Sequence, residues 1–372
     1  MRENVLSEIA EAKKKGTRVV GYYCTYSPIE LPLAGGAIMV PLCGSKDGAL
    51  PAADNDLPQN LCPVVRTLYD LAVTDTCPYF HFSDMVIAET TCDGKKKVYE
   101  LLGKIKPYHV MDLPQNQNLP SSQAAWESEV RRLKTGLEDR FGIKITDDAL
   151  RRAIHLMNEE ARVKKELFDL NQVDPPPLSG KALATIASDS EFTVDRAVTL
   201  ELLKEIITEI KEISRGIKNP GKTHAPRILL TGCPVGTDKD KIITLTEECG
   251  GRIVAMENCG GYKTVDLRID ETDTRDPVTL IAEKYLKVPC SVMSPNEGRL
   301  RLLENMIRDF RIDGVIDLTW QACHTYNVES FMVGKLTEKH KLAFLHLETN
   351  YSDADSENLR VRIEAFLEMI KA

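Results

Sequence analysis

Long apolar runs and an excess of positive charge are both missing from this chain of 372 residues, and aromatic residues are scarce. No apolar stretch approaches the roughly 18 residues that a membrane-spanning helix requires. Lys and Arg number 48 against 56 for Asp and Glu, a formal net charge of −8, which disfavours binding to nucleic-acid phosphates. Aromatic residues make up 6% of the chain, too few to suggest a stacking platform for single strands. We therefore expect no nucleic-acid or membrane partner, and the amphipathic start MRENVLSEIAEAKKKG favours a cytoplasmic protein.

Paired CxxC spacings are also missing, although the chain has ten cysteines. Their absence excludes the common zinc-ribbon, thioredoxin and bacterial-ferredoxin patterns. In a long chain with a large core, disulfides are less expected than metal ligation, catalysis or burial as small hydrophobes. Any metal site must therefore draw its thiols together from distant loops. The cysteines stand at positions 24, 43, 62, 77, 92, 233, 249, 259, 290 and 323.

The order of apolar segments predicts an α/β fold with two Rossmann- or flavodoxin-like lobes, each built on a parallel sheet. Short apolar runs rich in β-branched residues predict buried strands, whereas a long stretch with 3.6-residue periodicity predicts charged helices between the lobes. We therefore divide the chain into an N-terminal α/β lobe (1–120), a helical insertion or arm (121–219) and a C-terminal α/β lobe (220–372). The predicted strands cover 18–24, 37–43, 84–90, 108–112, 227–233, 252–258, 314–318 and 343–348.

Most of the cysteines fall where these strands end. In open parallel sheets, ligands bind at the carboxyl ends of the strands, and soft thiolates with few histidine or carboxylate companions favour iron–sulfur or zinc chemistry. We expect Cys77 and Cys249 at the opposite edge as structural residues, and the edge of Cys290 stays open. The placement predicts a metal or cluster site. The thiols expected at the favourable edge are those of Cys24, Cys43, Cys62, Cys92, Cys233, Cys259 and Cys323.

Four other residues near these strand ends are candidates for chemistry. Glu89 ends the third strand and is a candidate for proton transfer, with a helix cap or a lysine ion pair as the alternative. Lys95, followed by two more lysines, could neutralise a negatively charged cluster or belong to a solvated helix face. His324 stands beside Cys323 and is a candidate for proton transfer or hydrogen bonding. Gly260 would let the backbone approach a bulky cofactor.

Three cysteine motifs carry a resemblance to a known family. The segments NLCPVVRTLYD, VIAETTCDGKKKVYELLG and DGVIDLTWQACHTYNVES resemble those of the 2-hydroxyacyl-CoA dehydratase component D family, which includes the benzoyl-CoA reductase B and C subunits. The resemblance implies a [4Fe–4S] cluster held by Cys62, Cys92 and Cys323, with the fourth iron left open.

Further motifs, GYYCTYSPIEL, VPLCG, TDTCPYF and AMENCGGYK, are similar to those of the double-cubane cluster proteins within this superfamily. That resemblance implies a homodimer with an [8Fe–9S] cluster, which needs six thiolates, and a separate ATP-hydrolysing iron–sulfur activator that delivers low-potential electrons. Cys24, Cys43 and Cys259 are the preferred additional ligands, with Cys233 and Cys290 as alternatives.

These resemblances lead to competing functions. The first is an iron–sulfur oxidoreductase, with a double-cubane cluster in the cleft between the lobes, that reduces small-molecule substrates. The second is a dehydratase-type lyase with one [4Fe–4S] cluster that acts on a 2-hydroxyacyl-CoA thioester, for which the sequence shows no acyl-CoA pocket. Electron storage, cluster maturation and a structural zinc site are further alternatives.

Overall fold

A computed structural model describes residues 4–42, 44, 48–216, 225–235 and 240–371 of the chain. The expected ligand Cys43 and most of the loop after Cys233 lie outside these ranges. Within the described residues, two parallel four-stranded sheets are surrounded by helices, so the predicted α/β class with two parallel-sheet lobes is confirmed.

The first lobe is built on four short strands; side chains of the first three are almost all buried, whereas every second residue of the fourth is only partly buried. The strands VVGY, IMVP and MVIAE are rich in β-branched residues, which suits a parallel sheet covered on both faces. Proline stands in the first turn of α3, α4 and α5, where its missing N–H has no helical partner to lose. The elements are α1 (Val5–Lys14), β1 (Val19–Tyr22), α2 (Glu30–Ala34), β2 (Ile38–Pro41), α3 (Pro51–Asp56), α4 (Pro63–Val73), α5 (Pro78–Phe82), β3 (Met85–Glu89), α6 (Asp93–Leu102) and β4 (Tyr108–Met111).

The middle of the chain is helical, as its periodicity predicts. Ser and Thr side chains cap two of the helices, each accepting a hydrogen bond from a backbone amide of the first turn. The helices are α7 (Pro120–Phe141), α8 (Asp147–Asp169), α9 (Gly180–Asp189) and α10 (Arg196–Gly216), with a short 3₁₀ turn at Leu170–Gln172.

The second lobe repeats the first in a longer form. Its two central strands, RILLTG and GVIDLTW, are buried along their whole length. The elements are β5 (Arg227–Gly232), α11 (Lys241–Glu248), β6 (Arg252–Met256), α12 (Tyr262–Val265), α13 (Pro277–Leu286), α14 (Glu297–Asp309), β7 (Gly314–Trp320), α15 (His324–Lys339), β8 (Ala343–Thr349) and α16 (Ser356–Lys371), with a 3₁₀ turn at Asp353–Asp355.

Both sheets have the same strand order, β2-β1-β3-β4 and β6-β5-β7-β8. In the first sheet, β1 pairs with β2 on one side and with β3 on the other, so the topological switch point lies between β1 and β3. In the second sheet, β5 pairs with β6 and β7 in the same way, and the switch point lies between β5 and β7. The register pairs Val20 with Met85 in the first sheet and Ile228 with Gly314 in the second. Crevices outside the carboxyl ends of strands at a switch point are the usual ligand sites of such folds.

The helical middle packs against both lobes. Helix α8 contacts α2 of the first lobe and α10, whereas α7 lies along α13 of the second lobe. Arg131 of α7 ties this second contact by an ion pair of 2.6 Å to Asp276, which caps α13. These helices therefore join the lobes, and the division at residues 120 and 219 stays a prediction.

One helix begins earlier than the sequence pattern indicates. We expect a helix over 329–339, whereas α15 starts at His324, directly after Cys323. The amphipathic pattern is weak in its first turn, where Val328 is 76% exposed, so periodicity does not mark the start. The consequence is that Cys323, like Cys62 and Cys92, is the N-cap residue of a helix.

Candidate metal centre

Three thiols from the two lobes form a hydrogen-bonded group, which we call the first trio: Cys62, Cys233 and Cys323. The thiols of Cys62 and Cys233 each interact with the sulfur of Cys323 by a side-chain hydrogen bond. Cys62 precedes α4 in the first lobe, whereas Cys233 and Cys323 follow β5 and β7, the two strands at the switch point of the second lobe. The first trio therefore joins the carboxyl edges of both sheets.

Backbone amides favour negative charge on the first trio. The sulfur of Cys233 accepts the amide of Trp320 at 3.3 Å, and Cys62 interacts with amides of the first turn of α4. Hydrogen bonds from Cys233 and Cys62 lower the pKa of the Cys323 thiol well below its usual range. The shared hydrogen bond in turn raises the pKa of Cys62, and burial together with Cys323 raises that of Cys233. The lowered pKa of Cys323 at the start of α15 favours its thiolate form, the form that ligates metals.

Three more thiols, Cys24, Cys259 and Cys290, form a second trio. The charge on Cys24 interacts with both Cys259 and Cys290, although Cys24 follows β1 in the first lobe and the other two belong to the second. Burial raises the pKa of Cys24, and the charge of Lys95 opposes this rise. The sulfur of Cys290 is buried and lies 3.9 Å from the hydroxyl of Tyr326.

Cys92 lies at the same edge of the sheet as the first trio, but in the described structure its sulfur hydrogen-bonds to a backbone amide and not to another thiol. Its sulfur accepts the amide of Lys95 at 3.5 Å as the N-cap of α6. Helix α6 begins beside α4, since a Cβ on Gly94 would lie 3.0 Å from a methyl carbon of Leu61. Cys92 is therefore a neighbour of the Cys62 loop.

The expected structural cysteines serve other roles. Cys77 caps α5, accepting the amide of Phe80 at 3.4 Å. Cys249 ends α11, and its sulfur lies 3.9 Å from side-chain atoms of Arg360 and Glu364. Both thiols therefore have partners outside the two trios.

Cys233 and Cys290, which the sequence offers only as alternative ligands, are thiols that the fold brings into the trios. Cys233 carries a positional signal, because it follows β5 just as Cys24 follows β1 in the equivalent strand of the other lobe. Cys290 follows α13 in an irregular segment, where no periodic pattern sets its direction. Only the tertiary fold brings Cys290 close enough to Cys24 for their charges to interact.

Glu89 and Lys95 lie beside the second trio. Glu89 is fully buried at the end of β3, and the hydroxyl of Ser27 donates to one of its carboxylate oxygens. Among the described residues, its other oxygen has no hydrogen-bond partner. Burial raises the pKa of Glu89 to about 7, while Ser27 and Lys95 act in the opposite direction. This carboxyl can therefore exchange a proton close to neutral pH.

His324 and Gly260 are both exposed. His324 is exposed at the first position of α15, whereas Tyr326 two residues later is buried against Cys290. Gly260 is also exposed, and a Cβ there would meet only the carbonyl oxygen of Val235, at 4.0 Å. The crowded position is Gly261, where a Cβ would lie 2.3 Å from the carbonyl oxygen of Met256.

The donors gathered in this region are thiols, which suit iron–sulfur or zinc chemistry. Within the described ranges, no three His, Cys, Asp or Glu side chains are arranged to hold a metal ion. Binding would instead replace the protons that the thiols now share, since only thiolates ligate metals. Two buried polar atoms next to the second trio, the Thr25 hydroxyl and the Asn258 amide nitrogen, lack a partner in the part of the chain that the structure covers. Both are donors suited to a sulfide or thiolate acceptor.

Comparison with known proteins agrees with these motifs. A family model described as 2-hydroxyglutaryl-CoA dehydratase, D-component, matches residues 24–370. YjiM of Escherichia coli (strain K12), named provisionally as a dehydratase subunit, is 40% identical over 370 residues, which span 99% of this chain and 96% of YjiM. The (R)-phenyllactyl-CoA dehydratase beta subunit of Clostridium sporogenes is 23% identical over 380 residues, covering 99% and 98% of the two chains. A benzoyl-CoA reductase subunit of Thauera aromatica is 22% identical over 366 residues, covering 95% and 91%. In the described ranges, no helix has both the length and the apolarity to cross a membrane.

Proposed function

Because the chain belongs to the 2-hydroxyglutaryl-CoA dehydratase D-component family of dehydratase and benzoyl-CoA reductase subunits, we propose that it is an iron–sulfur enzyme of the reductase type. It receives low-potential electrons from an ATP-hydrolysing iron–sulfur activator and passes them to a small substrate. The observation that carries this proposal is the pair of thiol trios, each drawn from both lobes. A single [4Fe–4S] cluster with an open iron needs only three thiolates.

The proposed cofactor is an [8Fe–9S] double cubane in the cleft between the lobes. One half is held by Cys62, Cys92 and Cys323, the positions of the family motifs. The other half is held by Cys24, Cys259 and a third thiolate. For this place the sequence predicts Cys43, which lies outside the described residues, and Cys290 is the candidate within them. Cys233, which already hydrogen-bonds to Cys323, is the alternative to Cys92. When bound, the cluster supplies one-electron chemistry at low potential, and the protein sets its ligation, burial and access.

The chain's own residues have defined roles in this proposal. The Glu89 carboxyl holds a proton near neutral pH and releases it beside Cys24. Lys95 lowers the cost of negative charge on both groups. His324, exposed beside Cys323, is proposed as a hydrogen-bonding or proton-transfer group on the approach to the centre, and Gly260 as open backbone against the cofactor.

The second candidate is a lyase that dehydrates a 2-hydroxyacyl-CoA thioester at one [4Fe–4S] cluster. The observation that favours it is the set of relatives named as dehydratase subunits, among them that of Clostridium sporogenes. This function needs only the three thiolates of the family motifs and leaves the second trio without a metal.

Iron and acid-labile sulfide per chain, measured on anaerobically purified protein with EPR after dithionite, separate the two candidates. About eight irons per chain support the double cubane, and about four support the dehydratase. Zinc in place of iron would contradict both.

The proposed partners follow from the same family. Several relatives are named as subunits of larger enzymes, and we propose that this chain forms a homodimer served by the activator. Light scattering on the purified protein should give twice the mass of 41.6 kDa. Substrate reduction should require the activator and ATP together, whereas the monomer mass or turnover without ATP would contradict this part of the proposal.

A further inference from the structure

A buried lysine lies behind the second trio. Lys263, in the short helix α12, is fully buried, and its ammonium group is 3.2 Å from a carboxylate oxygen of Glu257. Its charge also interacts with the thiols of Cys259 and Cys290. A buried ammonium is costly unless it is paired and hydrogen-bonded, and the ion pair with Glu257 uses only part of its donor capacity.

The rest of that capacity is directed at Tyr326. The Lys263 ammonium donates to the Tyr326 hydroxyl oxygen at 2.6 Å, and this hydroxyl is 3.9 Å from the sulfur of Cys290. An ammonium group can only donate, so the tyrosine oxygen must accept from it. The hydroxyl proton is therefore free to point at Cys290.

A second cation holds the tyrosine ring in place. The guanidinium of Arg299 lies 4.9 Å from the centre of the Tyr326 ring and is itself fixed by Glu257 and Glu329. All these groups except part of Glu329 are buried, so the hydroxyl has little freedom to turn away from the sulfur.

We propose that Lys263 and Tyr326 are positioning residues that aim a hydrogen bond at the Cys290 sulfur and thereby raise the reduction potential of the metal cluster that this thiolate binds. The inference rests on the proposed function, since it requires iron at the second trio. Reduction adds one electron and makes the cluster and its ligand sulfurs more negative, so a hydrogen bond to a sulfur stabilises the reduced form more than the oxidised form.

The test is a redox titration, followed by EPR, of the anaerobic iron-loaded protein with dithionite as reductant. We expect Tyr326→Phe to retain its iron and to make one-electron reduction about tenfold less favourable, a shift of ~59 mV to lower potential. Lys263→Gln should shift the potential in the same direction, because Tyr326 loses its cationic donor. Tyr262→Phe is the matched control, since its hydroxyl lies 2.5 Å from Asp169 and bonds to no thiol in the described structure.

The possible outcomes separate this inference from the function on which it rests. The inference alone would be overturned if Tyr326→Phe kept its full iron and the wild-type reduction potential. It would also be overturned if this variant lost iron while the remaining cluster kept the wild-type potential. An equal shift in Tyr262→Phe would also overturn it, because the effect would then be one of packing. Wild-type protein without iron would overturn both the inference and the proposed function.

Discussion

The thiol of Cys62, at the start of α4 in the first lobe, hydrogen-bonds to the thiol of Cys323, at the start of α15 in the second. Two helix N-termini from different sheets therefore meet at one pair of sulfurs. Unpaired amides at a helix N-terminus stabilise negative charge. The arrangement favours thiolates at the position where the two lobes face each other.

Replacing the family-motif cysteines should remove iron. We expect Cys62→Ala, Cys92→Ala and Cys323→Ala each to lower the iron per chain by about half or more, because a cubane that lacks one of three thiolates is not retained. Cys77→Ala is the control, since that thiol only caps α5. Iron analysis of the anaerobic proteins is the measurement, and full iron in the Cys92 variant would contradict the assignment of the family-motif cysteines as ligands.

The second trio makes a separate prediction. Cys290→Ala should lower iron as far as Cys24→Ala does, because the charge of Cys290 interacts with that of Cys24. Cys43→Ala tests the other expected third ligand, which lies outside the described residues. The EPR signal of the first half should persist in the Cys290 variant. Equal losses in the Cys43 and Cys24 variants, with none in Cys290→Ala, would instead restore Cys43 as the ligand.

The sequence predicts the two lobes well because their strands are continuous apolar runs. Strands such as β5, with its buried RILLTG, differ from the charged helices around them in both length and composition. The edge position of most cysteines follows from that pattern, since a residue after a parallel strand must lie at the carboxyl edge. The membership of each trio does not follow, because Cys24 and Cys290 interact electrostatically only through the docking of the two lobes.

Glu89 should control proton transfer without holding the metal. We expect Glu89→Gln to keep its iron and to lower turnover of a small substrate by about 100-fold, the usual scale for loss of a general acid. With a pKa of about 7 the wild-type carboxyl carries its proton below neutral pH, so turnover should fall as pH rises through 7, and the variant should lose this dependence. Glu100→Gln, an exposed change on α6, is the control. An unchanged pH profile in Glu89→Gln would assign the proton to another group.

The two glycines after Cys259 should behave differently. Gly261→Ala would place a Cβ 2.3 Å from the backbone of β6 and should cost at least about 3 kcal/mol of unfolding free energy. Gly260→Ala meets open space in the described structure and should leave the thermal midpoint unchanged, yet it should lower iron if the cofactor approaches this backbone. Thermal unfolding and iron analysis of both variants are the measurements. Wild-type iron and stability in Gly260→Ala would remove Gly260 from the site.

His109 should make stability fall at acidic pH. Burial, with Arg132 nearby, lowers its pKa to about 4, and Glu129 acts in the opposite direction. The unfolded chain binds a proton near pH 6.5 and the folded chain does not, so this stability is complete above pH 6.5 and is lost as pH falls towards 4. Between pH 7 and pH 5 the loss should be about 2 kcal/mol. The measurement is the free energy of unfolding in urea at pH 7 and pH 5. The loss between these two pH values should be smaller in His109→Asn and unchanged in the exposed control His81→Asn. An equal loss in the wild type and both variants would contradict the prediction.

Each thiol trio takes members from both lobes, and this has a consequence for assembly. A ligand bound only by the docked arrangement stabilises it in proportion to the logarithm of its concentration over its dissociation constant. If iron binds as proposed, iron loading and lobe docking are thermodynamically linked, and the metal would stabilise the docked arrangement of the two lobes. Under the proposal, protein without iron should separate more readily between the lobes than within either sheet.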